Sequence, residues 1–261
     1  MNRPTPKLLA ALFLLALAPF PAAAQRYIGD LPPLPKIEAP PLPVPSVPRR
    51  EGSNTVVFGS VRLDELSKTV TATGWVNQTR GLIEVFACGP RGKTHESAFV
   101  LDANPFDLQA ALLATGLKAG EPMPAFGEGP PHGSPVDIFL SWPAPATGAT
   151  NTARAESFVM DVEQGKPLEE GPWTFTGSIV VDGRFMAIAE ETYIASFWDP
   201  YAIVNNSLPS GVNDDILFVN TNTIPPYGTP VTFSFRPAAA PHPLAATNHM
   251  APEVPRIRYN F

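Results

Sequence analysis

The stretch that decides the fold is GLIEVFACGPRGKTHESAFVLDA, residues 81–103. Two apolar, β-prone runs flank a Gly/Pro-rich connection, a pattern that reads as an antiparallel hairpin. The reading places strand 82–88, a turn over 89–94 and strand 95–101. Cys88 then faces His95, Phe86 faces Ser97, Glu84 faces Phe99 and Leu82 faces Leu101. The other face pairs Ile83 with Val100, Val85 with Ala98 and Ala87 with Glu96. Directly opposed Cβ atoms in such a pair stand about 4.5–5.5 Å apart. A Cys88–His95 pair would therefore form at the hairpin mouth, with Glu96 next in the chain.

Working outward, further short β-rich segments appear at 55–64, 68–78, 135–144, 152–162, 214–223 and 230–237. In 68–78, Val70, Ala72, Gly74 and Val76 alternate with Thr69, Thr71, Thr73 and Trp75, the period-two signature of a strand with one buried face. Segment 173–192 reads as a hairpin around Asp182-Gly183, a pair suited to the positive φ angles of a type I′ turn. One helix is predicted over 104–116, with Asn104 as N-cap, Pro105 at the first helical position and Gly116 ending it. Asp199 before Pro200 suggests a short second helix over 199–206. Many strands and one or two helices predict an α+β domain with mainly antiparallel pairing.

The ends differ in character. Arg3 and Lys7 precede an apolar run of 11 residues, Leu8–Ala18, and Ala22-Ala23-Ala24 offers a cleavage site. This is the layout of a secretory signal peptide over 1–24, and the run is too short to span a bilayer. Residues 25–52 are a Pro-rich spacer expected to be disordered or extended, with eight prolines between Asp30 and Arg50. A domain over 53–237 follows, then a Pro-rich tail over 238–261. A secreted or periplasmic location is expected, with no transmembrane span. At net charge -6 the chain lacks the basic surplus that nucleic acid attracts.

The Cys88 region allows three readings. His95 could take the proton of Cys88, making a nucleophile for a cysteine-dependent hydrolase or transferase. Cys88, His95 and Glu96 could ligate a zinc or copper ion, whose chemistry suits S and N donors. Or Cys88 is a small buried hydrophobe, with Lys93, His95 and Glu96 holding the loop or contacting a ligand. Gly89-x-x-Gly92-Lys93-Thr94 lacks the full phosphate-loop spacing. Asp214-Asp215 and Glu190-Glu191 read as solvated edge charges, since strand neighbours point to opposite faces. The four tryptophans, Trp75, Trp142, Trp173 and Trp198, read as core more readily than as a binding cleft. His132 lies in a Gly/Pro loop, and His242 and His249 lie in the tail without an assigned role.

Residues 81–120, the WTFTGS run at 173–178 and the stretch from IASFWDPYAIVNN to GTPVTF over 194–233 together resemble the YdjY-like family of extracytoplasmic bacterial proteins. The resemblance implies an exported domain and carries no established activity. Some relatives are described as ferredoxin-like iron–sulfur proteins. A cluster needs four cysteine ligands in most cases, and this chain has one. The expectation is an exported domain that binds a small ligand, a metal ion or a protein partner. The alternatives are a thiol enzyme and a structural component of a cell-surface assembly.

Overall fold

The computed structural model describes residues 43–144 and 147–242. The signal-peptide reading, most of the Pro-rich spacer, the end of the tail and His249 lie outside the described residues. The chain enters through β1 (Arg49–Glu51), β2 (Thr55–Phe58), β3 (Val61–Asp64) and β4 (Thr69–Val76), an antiparallel meander. It continues through β5 (Val85–Cys88), β6 (Ser97–Leu101) and helix α1 (Pro105–Ala114). The long β7 (Ser134–Pro143) turns back into β8 (Thr150–Arg154), and the small β9 (Val159–Asp161) and β10 (Lys166–Pro167) follow. Next come β11 (Trp173–Phe175), the tight pair β12 (Val180–Val181) and β13 (Arg184–Phe185), and a one-turn helix α2 (Met186–Glu190). The chain closes with β14 (Thr192–Ala195), β15 (Val204–Asn205), β16 (Leu217–Val219) and β17 (Pro230–Pro237).

Eight of these strands close a ring. The order is β4–β17–β7–β11–β15–β14–β5–β6, and β6 pairs back onto β4. One edge of β4 serves both the meander and the closure: Thr69–Thr71 pair with β3 and Gly74–Val76 pair with β6. Gly74 sits where that edge changes partner. A Cβ there would lie 2.1 Å from the Val100 carbonyl oxygen, so only glycine permits the approach. An eight-stranded barrel is just wide enough for side chains to fill. Buried Phe86, Phe99, Phe158, Trp173 and Phe233 form one aromatic cluster with ring centroids 5.0–5.8 Å apart.

The α+β expectation is corrected. The protein is 39% strand and 13% helix, a barrel of mixed strand direction. The predicted hairpin is also corrected. β5 and β6 run parallel, with Val85 beside Ser97, Ala87 beside Phe99 and Cys88 beside Val100. Ring parity explains this. Each antiparallel neighbour reverses direction, so a closed ring needs an even number of reversals. β14 and β15 are parallel. With eight strands, a second parallel pair must therefore exist, and β5–β6 is that pair.

Local signals fared better. Asn104 caps α1, its Oδ1 accepting from the Phe106 amide at 3.0 Å. Asp182 and Gly183 adopt φ of 50° and 75° between β12 and β13. The strand expected after that turn stops at Phe185, α2 follows, and β14 starts only at Thr192. Segment 199–206 is not a helix. Asp199 caps a turn by accepting from the Tyr201 amide at 2.7 Å, and the chain then extends into β15 against β11 and β14. Pairing on both edges of β15 outweighs the capping preference. The end of the Pro-rich segment joins the fold: Ser46 donates from its amide and its hydroxyl to Asp107 at 2.8 and 2.7 Å. Among the described residues no helix is long and apolar enough to cross a membrane.

Candidate functional site

The connection Gly89–Glu96 bridges two parallel strands and is held down at several points. Arg91 grips Glu191 through its amide at 2.8 Å and its guanidinium at 2.5–2.8 Å. Gly89 donates to the Glu191 carbonyl at 2.7 Å. Glu191 follows α2 in the left-handed region, φ 48°, which turns its carboxylate under the connection. It is buried, so this half of the Glu190-Glu191 pair is not the solvated charge expected. On the other side, Asn77 donates to the carbonyls of Thr94 and Ser97 at 2.6 and 2.8 Å. A short 3-10 turn, Thr94–Glu96, then leads into β6.

This arrangement parts Cys88 from His95, which the sequence groups together. Cys88 is fully buried with Val85 and Val100 in a small cluster apart from the main core, backed by Trp75. Gly92 closes over it, and a Cβ on Gly92 would stand 3.0 Å from the Cys88 Cβ. Burial pushes the Cys88 thiol up to about 11; the Ser97 hydroxyl opposes this, and the charges of Glu191 and Glu96 add to it. His95 points outward with 80% of its side chain exposed, its Nε2 3.6 Å from Glu96. No Cys88–His95 pairing exists, because the parallel register puts Val100 beside Cys88. Among the described residues no three His, Cys, Asp or Glu side chains are grouped to hold a metal ion. Cys88, His95 and Glu96 therefore do not fit the zinc or copper site expected of them.

Lys93 and Glu96 do come together, at 3.3 Å. Around them gather residues that the sequence did not single out. Burial lowers the Lys93 ammonium's affinity for its proton, but the carboxylates of Glu96, Asp199 and Glu84 more than offset this and hold its pKa above the ordinary value. Burial, reinforced by the Glu96 charge, raises Glu84. Burial pushes Asp199 up to about 6, against the pull of the Tyr201 amide and Lys93. The Phe126 ring lies 5.8 Å from the Lys93 ammonium and meets Tyr201 edge-on at 5.1 Å. The loop after β14 is tied to the approach to β5, since the Ser196 and Phe197 amides both donate to the Glu84 carbonyl. One signal for Glu84 was present: a lone carboxylate inside the apolar run LIEVFA. Phe126 and Asp199 are brought there by the chain's return, which no local pattern announces. A protonated lysine among carboxylates is internally neutralised and offers no nucleophile.

The broad concavity lies elsewhere. A depression of about 630 Å³ opens on the outer wall formed by β3, β4 and β17, lined by Arg62, Asp64, Thr69, Thr71, Ser234 and Arg236 among others. A second, of about 110 Å³, lies between the β9–β10 turn and residues 208–210. Neither contains Cys88, Lys93, His95 or Glu96. Of the tryptophans, Trp173 and Trp198 are buried and Trp75 and Trp142 pack against core clusters.

No curated protein and no solved structure matches the chain significantly. The family model for the YdjY domain matches residues 61–236. That span runs from the start of β3 almost to the end of β17 and takes in all eight strands of the ring, so the chain belongs to the YdjY domain family.

Proposed function

We propose that this protein is an exported, non-catalytic binding domain that recognises a polar ligand on the outer wall of its barrel. The observation that carries the reading is the 630 Å³ depression on β3, β4 and β17, lined by hydroxyl and guanidinium groups. Such a lining orients a ligand by hydrogen bonds, and no histidine stands among these residues to activate a hydroxyl. Two further features support it. The barrel core is filled by aromatic side chains, and the lone thiol is buried with a raised pKa, the opposite of what an attacking thiolate needs. Export rests on the n-region, the apolar run and the Ala22–Ala24 site.

The test uses the purified full chain and a panel of soluble oligosaccharides and organic acids. Thermal shift reports binding, and mass spectrometry of the recovered compound reports any conversion. A saturable shift with the compound recovered unchanged, lost in Thr71→Trp, which projects a bulky ring into the depression, supports the reading. A compound that is chemically converted, with conversion abolished by Cys88→Ser, overturns it in favour of a thiol enzyme.

A further inference from the structure

The wall that carries the depression is a ladder of short hydroxyl side chains. β4 contributes Thr69 and Thr71, and β17 contributes Ser234, which stands directly across from Thr71. Arg62 stands across from Thr71 on the other side. Buried and outward residues alternate along β4 and β17, so these hydroxyls share the face that looks away from the core.

The two arginines at the margins differ. Arg62 is held by Glu51 at 2.8 Å, and Glu51 also takes Arg49 at 3.0 Å. Arg236 lies across from Asp137 in the register, yet Asp137 gives its carboxylate to Arg154 at 2.7 Å. Among the described residues no carboxylate lies within 4 Å of the Arg236 guanidinium, which rests over the Phe139 ring at 5.2 Å. Arg154 covers the same ring at 5.0 Å. The aromatic surface is therefore taken by two guanidinium groups and is not a stacking platform for a neutral sugar. The one carboxylate in the lining, Asp64, is turned toward its own loop, where its Oδ1 accepts from the Leu66 and Ser67 amides at 2.9 Å.

We infer that the depression binds an acidic oligosaccharide, with hydroxyls on Thr69, Thr71 and Ser234 meeting sugar hydroxyls and Arg236 and Arg62 meeting successive acidic groups. This deepens the binding reading above and rests on it. Arg62 and Arg236 stand on strands either side of β4, and two strand spacings amount to roughly 10 Å. Arg62 is held toward Glu51, and Arg236 lies over Phe139 on the far side of β17. The two guanidinium groups therefore turn away from each other and one carboxylate or phosphate does not serve both, whereas a chain with an acid on each sugar presents charges to both. A planar guanidinium suits a carboxylate through two parallel hydrogen bonds. Arg236, with its donors uncommitted to any described carboxylate, is the group that binding would satisfy.

The experiment titrates the full chain with hexagalacturonate, with maltohexaose as a neutral sugar and with polyphosphate as a charge-only control, by calorimetry. The expected result is saturable, salt-weakened binding of hexagalacturonate only. Arg236→Gln and Arg62→Gln each weaken it about tenfold, the scale of losing one charge-assisted contact. Both side chains are exposed, so the variants are expected to melt with wild type. Equal binding of polyphosphate overturns the assignment to sugar. Hexagalacturonate binding that neither arginine variant changes overturns the site. Binding of maltohexaose that Thr71→Trp abolishes and the arginine variants leave intact overturns the acidic class while keeping the binding reading. Absence of binding by any of the three overturns this inference, and the broader ligand panel then decides the binding reading separately.

Discussion

Asp199→Asn should stabilise the protein in a strongly pH-dependent way. Asp199 is buried. Its amide donates to Asn205 Oδ1 at 2.9 Å and its carboxylate accepts from the Tyr201 amide at 2.7 Å. Burial raises its pKa from 3.8 to about 6; Lys93 opposes the shift and Glu190 adds to it. The sign follows directly. A carboxyl whose folded pKa is raised holds its proton more tightly in the folded state, so it favours folding at low pH and loses that contribution as pH climbs from the unfolded to the folded value. Two units and a fraction correspond to about 3 kcal/mol. Asparagine keeps a carbonyl for the Tyr201 amide and never ionises. The stability gap between Asp199→Asn and wild type should therefore widen by about 3 kcal/mol, on an order-of-magnitude scale, between about pH 3.5 and pH 7.5. Urea unfolding at a series of pH values, with extrapolation to water, measures it. A gap that stays constant across that range, or narrows toward neutral pH, refutes the reasoning and shows that Asp199 ionises freely in the folded state.

Three further outcomes follow from the same geometry. Gly74→Ala drives a Cβ to 2.1 Å from the Val100 carbonyl oxygen at the ring's closure; chemical denaturation should show a loss of about 3 kcal/mol or failure to fold, while Thr73→Ala on the outer face changes little. Glu191→Ala should cost about 2 kcal/mol, less than the 3–5 typical of a fully buried pair, because the half-exposed Arg91 can rehydrate; a cost near zero by thermal or urea unfolding would show that the clamp on Gly89–Glu96 is not needed. Cys88 at pH 8 should alkylate at least about a hundredfold more slowly in native than in unfolded protein, from the rise of 9.0 to about 11 alone; equal rates by mass spectrometry would return the thiol to the list of candidate nucleophiles.

Much of the local structure was legible in the sequence because it depends on neighbours in the chain. The alternation over residues 68–78 marks β4 and its buried face, the Asn104-Pro105 pair marks the start of α1, and Asp182-Gly183 marks a turn with positive φ. Each is a preference of a few consecutive residues. Lys93 and Glu96 pair because they are three apart on a tight turn. The setting of Arg236, by contrast, had no local sign. Its cross-strand neighbour Asp137 is engaged by Arg154 from β8, a strand that pairs with β7 and lies outside the ring.

The direction of β6 relative to β5 belongs to the tertiary structure alone. Eight residues rich in glycine and charge can serve a hairpin or a crossover, and the local energetics of GPRGKTHE do not choose between them. The choice is made at a distance. β14 and β15 run parallel, the ring closes through β6 and β4, and a closed ring of eight strands admits parallel neighbours only in even number. With the other six pairs antiparallel, that condition makes β5–β6 a crossover in place of the expected hairpin, and in it His95 lies outward and Gly92 lies over Cys88. The sequence alone marked β4, the start of α1 and the Asp182-Gly183 turn, each set by neighbours in the chain; closure of the ring determined which strands meet.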